Sequence, residues 1–390
     1  MKYKVCVATS TRADYGIMRP LLKKLVEGNF DLSIIACGTH LEKKYGNTIE
    51  EIRKDAFGVI HTISTYSGTS TPNNLTTSII KTVSGVSDIF DEYNEGRSIH
   101  ALIILGDRYE MLAVAYAAYI YKIPIIHLHG GEITEGAIDD SIRHAITKLS
   151  SLHFTSNEEH KNRVIQMGEA PDRVYNVGAL GVENVLNIPI LSKQELEDNL
   201  GINLDKPYML VTYHPTTQGK VDSLTELNIV LDAIKDCQDI NYIFTKSNAD
   251  MGGREINCAL EVFCQDNPNA YLFDSLGVVR YMSAMKYAIA VLGNSSSGII
   301  ETPSMKIQTI NIGDRQNGRL RAKSVMDVAL DTAAIKEAIQ RVYKESDLPE
   351  TYYDNPYGDG LTSGRIYKII KEKLDNNELV ASKRFYDIKL

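Results

Sequence analysis

The sequence predicts an α/β protein built from two doubly wound parallel sheets. Three observations carry that reading. Short apolar runs such as Ala101–Leu105 (ALIIL) alternate with segments of helical spacing along most of the chain. A strand that is apolar throughout is one buried on both faces, as in a parallel sheet covered by helices. The alternation pauses once, over a more polar stretch from Leu180 to Lys206 that holds Pro189 and is followed by Pro207, and then resumes. Finally, 390 residues are enough for two such halves. Strand–helix–strand order implies right-handed crossovers. Ligands of such sheets sit beyond the carboxyl ends of the strands, and with two domains the natural site is the cleft between them.

In order, the expected strands of the first half are Tyr3–Ala8, Phe30–Ala36, Ile60–Ile63, Ala101–Leu105, Pro124–Leu128, His153–Thr155 and Val174–Val177. The expected helices are Asp14–Glu27 (with Leu21, Leu22 and Leu25 on the buried side), Asn74–Tyr93, Met111–Tyr121, Asp139–Ser150 and Asn157–Met167. A linker is expected near residue 185. Strands Tyr208–Tyr213, Tyr242–Thr245, Tyr271–Phe273, Ala288–Leu292 and Gln308–Ile312 follow, with helices between them. Ile299–Met305 and Ile335–Tyr343 read as helical, Tyr352–Gly364 as a loop and Arg365–Leu374 as a last helix. The expected domains are residues 1–185 and 186–375, followed by a tail, 376–390.

Hydrophobic residues make up 43% and charged residues 24%, as in ordinary soluble proteins. The net charge is −8 with no basic run, which argues against nucleic acid. An anionic ligand must then be met by local cations. Cys6, Cys37, Cys237, Cys258 and Cys264 have no paired spacing, which fits a reduced cytoplasmic protein. Residues 1–9 read as a strand, not a signal peptide. The most apolar window, Ala113–His127, is broken by Lys122 and Pro124, so no membrane span is expected.

The chemistry-bearing residues fall at predicted strand ends. Gly293-Asn294-Ser295-Ser296-Ser297-Gly298 links a strand to a helix start, with Glu301 one turn further on. Converging backbone N–H groups at the positive end of a helix dipole would cradle phosphate. Glu301 would accept from a vicinal diol such as a ribose. The same pattern reads equally as a Ser-capped helix. Arg12, just after the first strand, suits a diphosphate, since a guanidinium forks onto phosphate oxygens. It reads otherwise as a surface arginine beside the capping Asp14. Gly106-Asp107-Arg108 offers an acid and a base together, or a plain salt bridge at a helix start. His127-Leu128-His129-Gly130-Gly131-Glu132 puts two histidines on one side if the strand continues that far. A zinc site is not favoured, because no HExxH or third clustered ligand accompanies them.

Asp139-Asp140-Ser141-Ile142-Arg143-His144 opens a helix with Asp139–Arg143 and Asp140–His144 pairs at i,i+4. The dipole there lowers an acid's pKa, whereas a base working near neutral pH needs it raised. A nearby Asp107 or Glu132 would supply the opposing shift. In the second half His214, Asn248, Arg315, Gln316 and Arg319 lie at or near strand ends.

Jointly, and in this order, Thr11–Tyr15, Gly38–Leu41, Gly106–Arg108, His127–Glu132, Ile138–Lys148, Gly293–Gly298 and Gly313–Gln316 resemble the hydrolysing UDP-N-acetylglucosamine 2-epimerases of sialic acid biosynthesis. The run DDSIRHAITK is the most distinctive, and the match spans about residues 3 to 330. The resemblance implies a GT-B-like pair of Rossmann-type domains, with the last helix or tail returning to the first. It implies loss of the C2 proton and of UDP to give 2-acetamidoglucal, then hydration with inversion at C2 to N-acetylmannosamine. No metal or nicotinamide cofactor is expected. A homodimer or homotetramer is, because similar enzymes form them. By position, Arg12, Arg108, Ser295, Ser296, Glu301, Arg315 and Gln316 look like UDP ligands. His214 and Asn248 look like phosphate or sugar contacts, with His214 also a candidate for catalysis. Asp107, His129, Glu132, Asp139, Asp140, Arg143 and His144 look like the catalytic group. Some relatives have a glutamate where this chain has His129, so His129 or Glu132 must take that role here. Relatives carry serine where this chain has Gly16, and the loop from Glu132 to Asp139 is one residue longer than in some. Between UDP-N-acetylglucosamine and UDP-2,4-diacetamido-2,4,6-trideoxyglucose, the sequence reading favours the former. A GT-B glycosyltransferase and a non-catalytic UDP-sugar binder are the competing readings.

Overall fold

The computed structural model describes residues 2–43, 47–65, 71–133, 138–215, 222–246, 253–345 and 348–388. It divides into two compact units, one of residues 1–184 with 357–390 and one of residues 185–356.

Unit 1 runs β1 (Lys4–Thr9), α1 (Arg12–Glu27), β2 (Asp31–Ala36), α2 (Ile49–Asp55), β3 (Val59–Thr62), α3 (Pro72–Glu92), β4 (Ala101–Leu105), α4 (Tyr109–Ile120), β5 (Ile125–Leu128), α5 (Ile138–Leu149), β6 (Leu152–Thr155), α6 (Glu158–Gln166), β7 (Val174–Asn176) and α7 (Leu180–Asn187), whose last turn passes into unit 2. Its parallel sheet has the order β3-β2-β1-β4-β5-β6-β7. Alternation along each strand feeds two cores. Val5, Val7, Ile34 and Ile103 pack on one face with Leu21, Leu22 and Leu25 of α1. Cys6, Ala8, Ile35 and Ile104 pack on the other with Val114 and Ala118 of α4.

Unit 2 runs α8 (Lys193–Leu200), β8 (Tyr208–Thr212), α9 (Ser223–Lys235), β9 (Asn241–Thr245), α10 (Gly253–Asp266), β10 (Ala270–Phe273), α11 (Gly277–Tyr287), β11 (Ala290–Gly293), α12 (Ser297–Ile300), α13 (Thr302–Met305), β12 (Gln308–Ile312), β13 (Val325–Val328) and α14 (Thr332–Lys344). Its sheet order is β10-β9-β8-β11-β12-β13, again all parallel. Met209 and Val211 face one core, Tyr208 and Leu210 the other. Both sheets thus reverse direction beside their first strand, at β1/β4 and β8/β11, and the loops at those switch points are where doubly wound folds hold ligands.

The expected pair of Rossmann-type sheets is present. Four expectations are corrected. The stretch 180–206 is not a plain linker: it holds α7 and α8, and Ser192 and Glu195 form a complete capping box at the start of α8. The expected helix 299–305 is two four-residue turns meeting at Glu301. β13 and α2 were not expected; β13 is a short strand at the sheet edge, interrupted by Asp327 and only half buried. The last helix, α15 (Thr362–Asp375), belongs to unit 1 and not to the second domain. Its Ile366, Ile370 and Leu374 lie in the same core as α1, and the Ser363 amide and hydroxyl both bond Glu183 of α7 at 2.5 Å.

The tail beyond α15 also lies on unit 1, without helix. Lys383 Nζ donates to the Ser150 carbonyl at 2.6 Å and the Thr147 carbonyl at 3.2 Å, at the C-terminal end of α5 where carbonyls lack their full helical partners. It also meets buried Glu169 at 2.6 Å, as do Lys148 at 2.6 Å and His153 at 3.1 Å. Among the described residues, no helix is long and apolar enough to cross a membrane.

Candidate active site

In unit 1 the segments that follow β4 and β5 gather acids around one buried arginine. Asp107 follows β4, and α5 begins with Asp139 and Asp140. Arg143, one turn into α5 and only 4% exposed in its side chain, pairs with Asp107, with Asp140 at 3.2 Å and with the Glu132 carbonyl at 2.7 Å. Fork geometry lets one guanidinium serve all three. Burial, and then the charge of Asp107, raise the pKa of Asp139. Burial and the neighbouring carboxylate outweigh the opposing charges of Arg108 and Arg143. His144 Nε2 lies 3.6 Å from Asp140, and burial lowers its pKa. Its Nδ1 is buried and has no hydrogen-bond partner among the described residues.

The two histidines after β5 part company. His127 ends in the core, bonded to the Gly106 carbonyl at 2.8 Å and Thr147 at 3.1 Å, with burial pushing its pKa down to about 3. His129 leaves the strand at φ +62°, so the strand does not carry both rings to one side. Its Nδ1 lies 3.0 Å from Glu132, which also accepts from Ser156 at 3.0 Å. Gly131 makes this turn feasible: at φ +80° a Cβ would lie 2.3 Å from the His160 carbonyl oxygen.

Arg108 bonds both carboxylate oxygens of Glu110 at 3.2 Å. Glu110 is almost wholly buried in the first turn of α4. Arg12 sits on the exposed start of α1 with Glu51 at 3.0 Å. Beside it Asp14 receives the Ser10 hydroxyl at 3.2 Å, and burial raises its pKa.

In unit 2 the β11 bend is held largely through its backbone. Gly293, at φ +139°, passes so close to β8 that a Cβ would lie 2.0 Å from the Thr212 carbonyl oxygen. Asn294 is buried, and its amide exchanges two bonds of 2.8 Å with the His214 backbone. Its carbonyl accepts from Arg315 at 3.0 Å and Gln316 at 2.9 Å. Those two residues therefore brace the bend through its backbone. Tyr281 donates to Ser297 at 3.2 Å, and Ser297 donates to Glu301 at 2.6 Å. Burial raises the pKa of Glu301. Ser295 and Ser296 are half-buried, and the Ser295 hydroxyl accepts the Ser297 amide at 3.3 Å. With only four residues in α12, the macrodipole at this bend is small, so the expected dipole contribution is reduced to local N–H groups. Asn248 lies outside the described residues.

Sequence reasoning missed Glu110, Ser156, His160, Tyr281 and Ser297. Ser297 stood inside the quoted bend, and Glu110 stood two residues past Gly106-Asp107-Arg108, as an acid in a helix's first turn. Ser156 and Tyr281 carried no local signal.

The sequence profile described as UDP-N-acetylglucosamine 2-epimerase matches residues 23–371. The chain is 40% identical to the polysialic acid biosynthesis protein P7 of Escherichia coli over 99% of its own length and 97% of that protein's. It is 42% identical to the hydrolysing GDP/UDP-N,N'-diacetylbacillosamine 2-epimerase of Campylobacter jejuni over 84% of each chain. The crystal structure of the UDP-GlcNAc 2-epimerase of Neisseria meningitidis bound to UDP-GlcNAc has the same fold, with a TM-score of 0.77, 17% identity, and coverage of 95% of this chain and all of that one. On the length of the profile match and the identity to these relatives, this chain belongs to the UDP-N-acetylglucosamine 2-epimerase family.

Proposed function

We propose that this chain is a hydrolysing 2-epimerase of a UDP-2-acetamido sugar, with UDP-N,N'-diacetylbacillosamine as substrate. The reaction removes the C2 proton and expels UDP to leave a glycal, then adds water with inversion at C2. The observation that carries it is the gathering of Asp107, Asp139 and Asp140 about Arg143, with Asp139 shifted upward as a proton-transfer group requires. In this reading Asp107, Asp139, Glu132, His129 and His144 serve proton transfer, and Arg143 orders them. Ser295, Ser296 and Glu301 take the nucleotide, with Arg12, Arg108, His214 and Asn248 as further ligands. Arg315 and Gln316 act through the backbone they hold.

The substrate rests on the Campylobacter relative, which is named for diacetylbacillosamine. UDP-N-acetylglucosamine is the second reading, supported by the name of the family and the ligand of the Neisseria structure. Product NMR in heavy water decides, using both UDP-sugars and the GDP form of diacetylbacillosamine. The expected result is free UDP and a manno-configured 2-acetamido sugar carrying deuterium at C2. An epimerised sugar still joined to UDP would point to a non-hydrolysing enzyme. Tight UDP binding with no turnover would leave a transferase or a binding protein.

A further inference from the structure

The turn after β5 and the start of α6 share a chain of hydrogen bonds whose donors can be assigned one after another. Asn157 caps α6: its Oδ1 accepts the His160 amide at 2.9 Å. The nitrogen of the same side chain therefore faces His160 Nε2, at 3.3 Å. An amide nitrogen only donates, so His160 Nε2 accepts and the ring proton sits on Nδ1. That Nδ1 lies 2.8 Å from Ser156 Oγ and donates to it. Ser156 passes its own proton on to Glu132 Oε1 at 3.0 Å. The same carboxylate oxygen lies 3.0 Å from His129 Nδ1. An ionised carboxylate only accepts, so His129 also carries its proton on Nδ1. Its Nε2 keeps a lone pair, is buried, and meets no hydrogen-bond partner among the described residues.

The surroundings support this assignment. Asn157, Ser156 and His160 are all buried. Burial holds His160 neutral, with a pKa of about 4. The αL backbone of His129, unusual outside glycine, belongs to the class of strained conformations that collect at working sites.

We propose that His129 Nε2 takes the C2 proton of the sugar, and that Asn157, His160 and Ser156 are positioning residues that hold Glu132 and through it fix the His129 tautomer. This rests on the reading given under Proposed function. As the C2–H bond breaks, its proton passes to the Nε2 lone pair and its electron pair becomes the C1=C2 π bond. The C1–O bond breaks with its pair leaving on the β-phosphate oxygen of UDP. The imidazolium so formed faces Glu132 through Nδ1–H, as the histidine of a Ser-His-Asp triad faces its aspartate.

Nitrogen-15 NMR of histidine-labelled protein reads the tautomers without any substrate. In mildly alkaline buffer, His129 and His160, each assigned by its loss in a His→Gln variant, should both be protonated on Nδ1 alone. A His129 protonated on Nε2 overturns the proposal. Asn157→Asp keeps the capping oxygen but offers His160 only acceptors, so His160 Nε2 should gain a proton; an unchanged His160 signal also overturns it. With substrate, His129→Gln should lower kcat by about 100-fold or more, with UDP affinity unchanged. Ser156→Ala should lower kcat about tenfold with KM unchanged. Turnover by His129→Gln within tenfold of the parent would end the base assignment while leaving the epimerase reading intact. A parent chain that processes no nucleotide sugar would end the epimerase reading, while the NMR would still decide the tautomers.

Discussion

In unit 1 the strand ends are held by formal charges: Arg143 against Asp107 and Asp140, Arg108 against Glu110. In unit 2 the corresponding bend has no ion pair of that kind among the described residues: it is held by an asparagine side chain, by the Arg315 and Gln316 donors on one backbone carbonyl and by a hydroxyl chain from Tyr281 to Glu301. Both occupy the same place in a doubly wound sheet. Under the proposed function, the difference matches what each would have to meet. Charges packed at close range perturb one another's proton affinity, which proton transfer needs and mere binding does not. A bend held through its backbone, with one guanidinium on its carbonyl, would offer fixed shape to a ligand that brings its own negative charge.

The sharpest way to break this contrast is Asp107→Asn, which should cut turnover about a thousandfold, roughly 4 kcal/mol of barrier, while UDP still binds. Near-normal initial rates of UDP release would show that the charged corner does not serve the chemistry. Arg143→Leu should destabilise unit 1 by about 3–5 kcal/mol, because it removes the buried guanidinium that pairs with both Asp107 and Asp140. Urea unfolding followed by circular dichroism measures this, and a loss below about 1 kcal/mol would mean the corner tolerates its own repulsion.

The contrast extends to pH. Burial opposes the charge on Glu169, but His153, Lys148 and Lys383 outweigh it and bring its pKa down to about 2. A depressed acid stabilises the fold above its ordinary value, near 4.5, and that stability fades as pH falls toward 2. The contribution is on the order of 3 kcal/mol. Glu169→Gln should therefore lie well below the parent in stability at neutral pH and draw level near pH 2, by denaturant titration at both. In unit 2, Gly293→Ala should cost about 2 kcal/mol or more, since its φ is strained for alanine and the added carbon meets the Thr212 carbonyl. The smallest expected effect is Ser297→Ala, which removes the donor to Glu301 and should weaken UDP binding by about 1 kcal/mol in calorimetry. If Ser297→Ala proved more damaging to turnover than Asp107→Asn, the division of labour would be reversed.

The strands were legible because a fully buried parallel strand announces itself in a few consecutive residues, as ALIIL does at β4. β13, with Asp327 exposed at the sheet edge, gives no such signal. Glu301 and Pro303 interrupt the helical spacing after the bend, yet spacing alone did not reveal two turns in place of one helix. The site was legible as motifs and illegible as contacts. Asp107 and Arg143 are 36 residues apart, and Glu132 and Ser156 are 24 apart. Only the register of β4, β5 and β6 brings them together. His127 and His129 looked alike by alternation and were separated by one residue's φ.

The return of α15 to unit 1 has a consequence for biogenesis. The core around α1 lacks Ile366, Ile370 and Leu374 until those residues have left the ribosome, whereas residues 185–356 form a continuous stretch that emerges earlier. The nascent chain therefore carries its first sheet with that part of the core uncovered throughout translation of the second. The unit begun first is finished last.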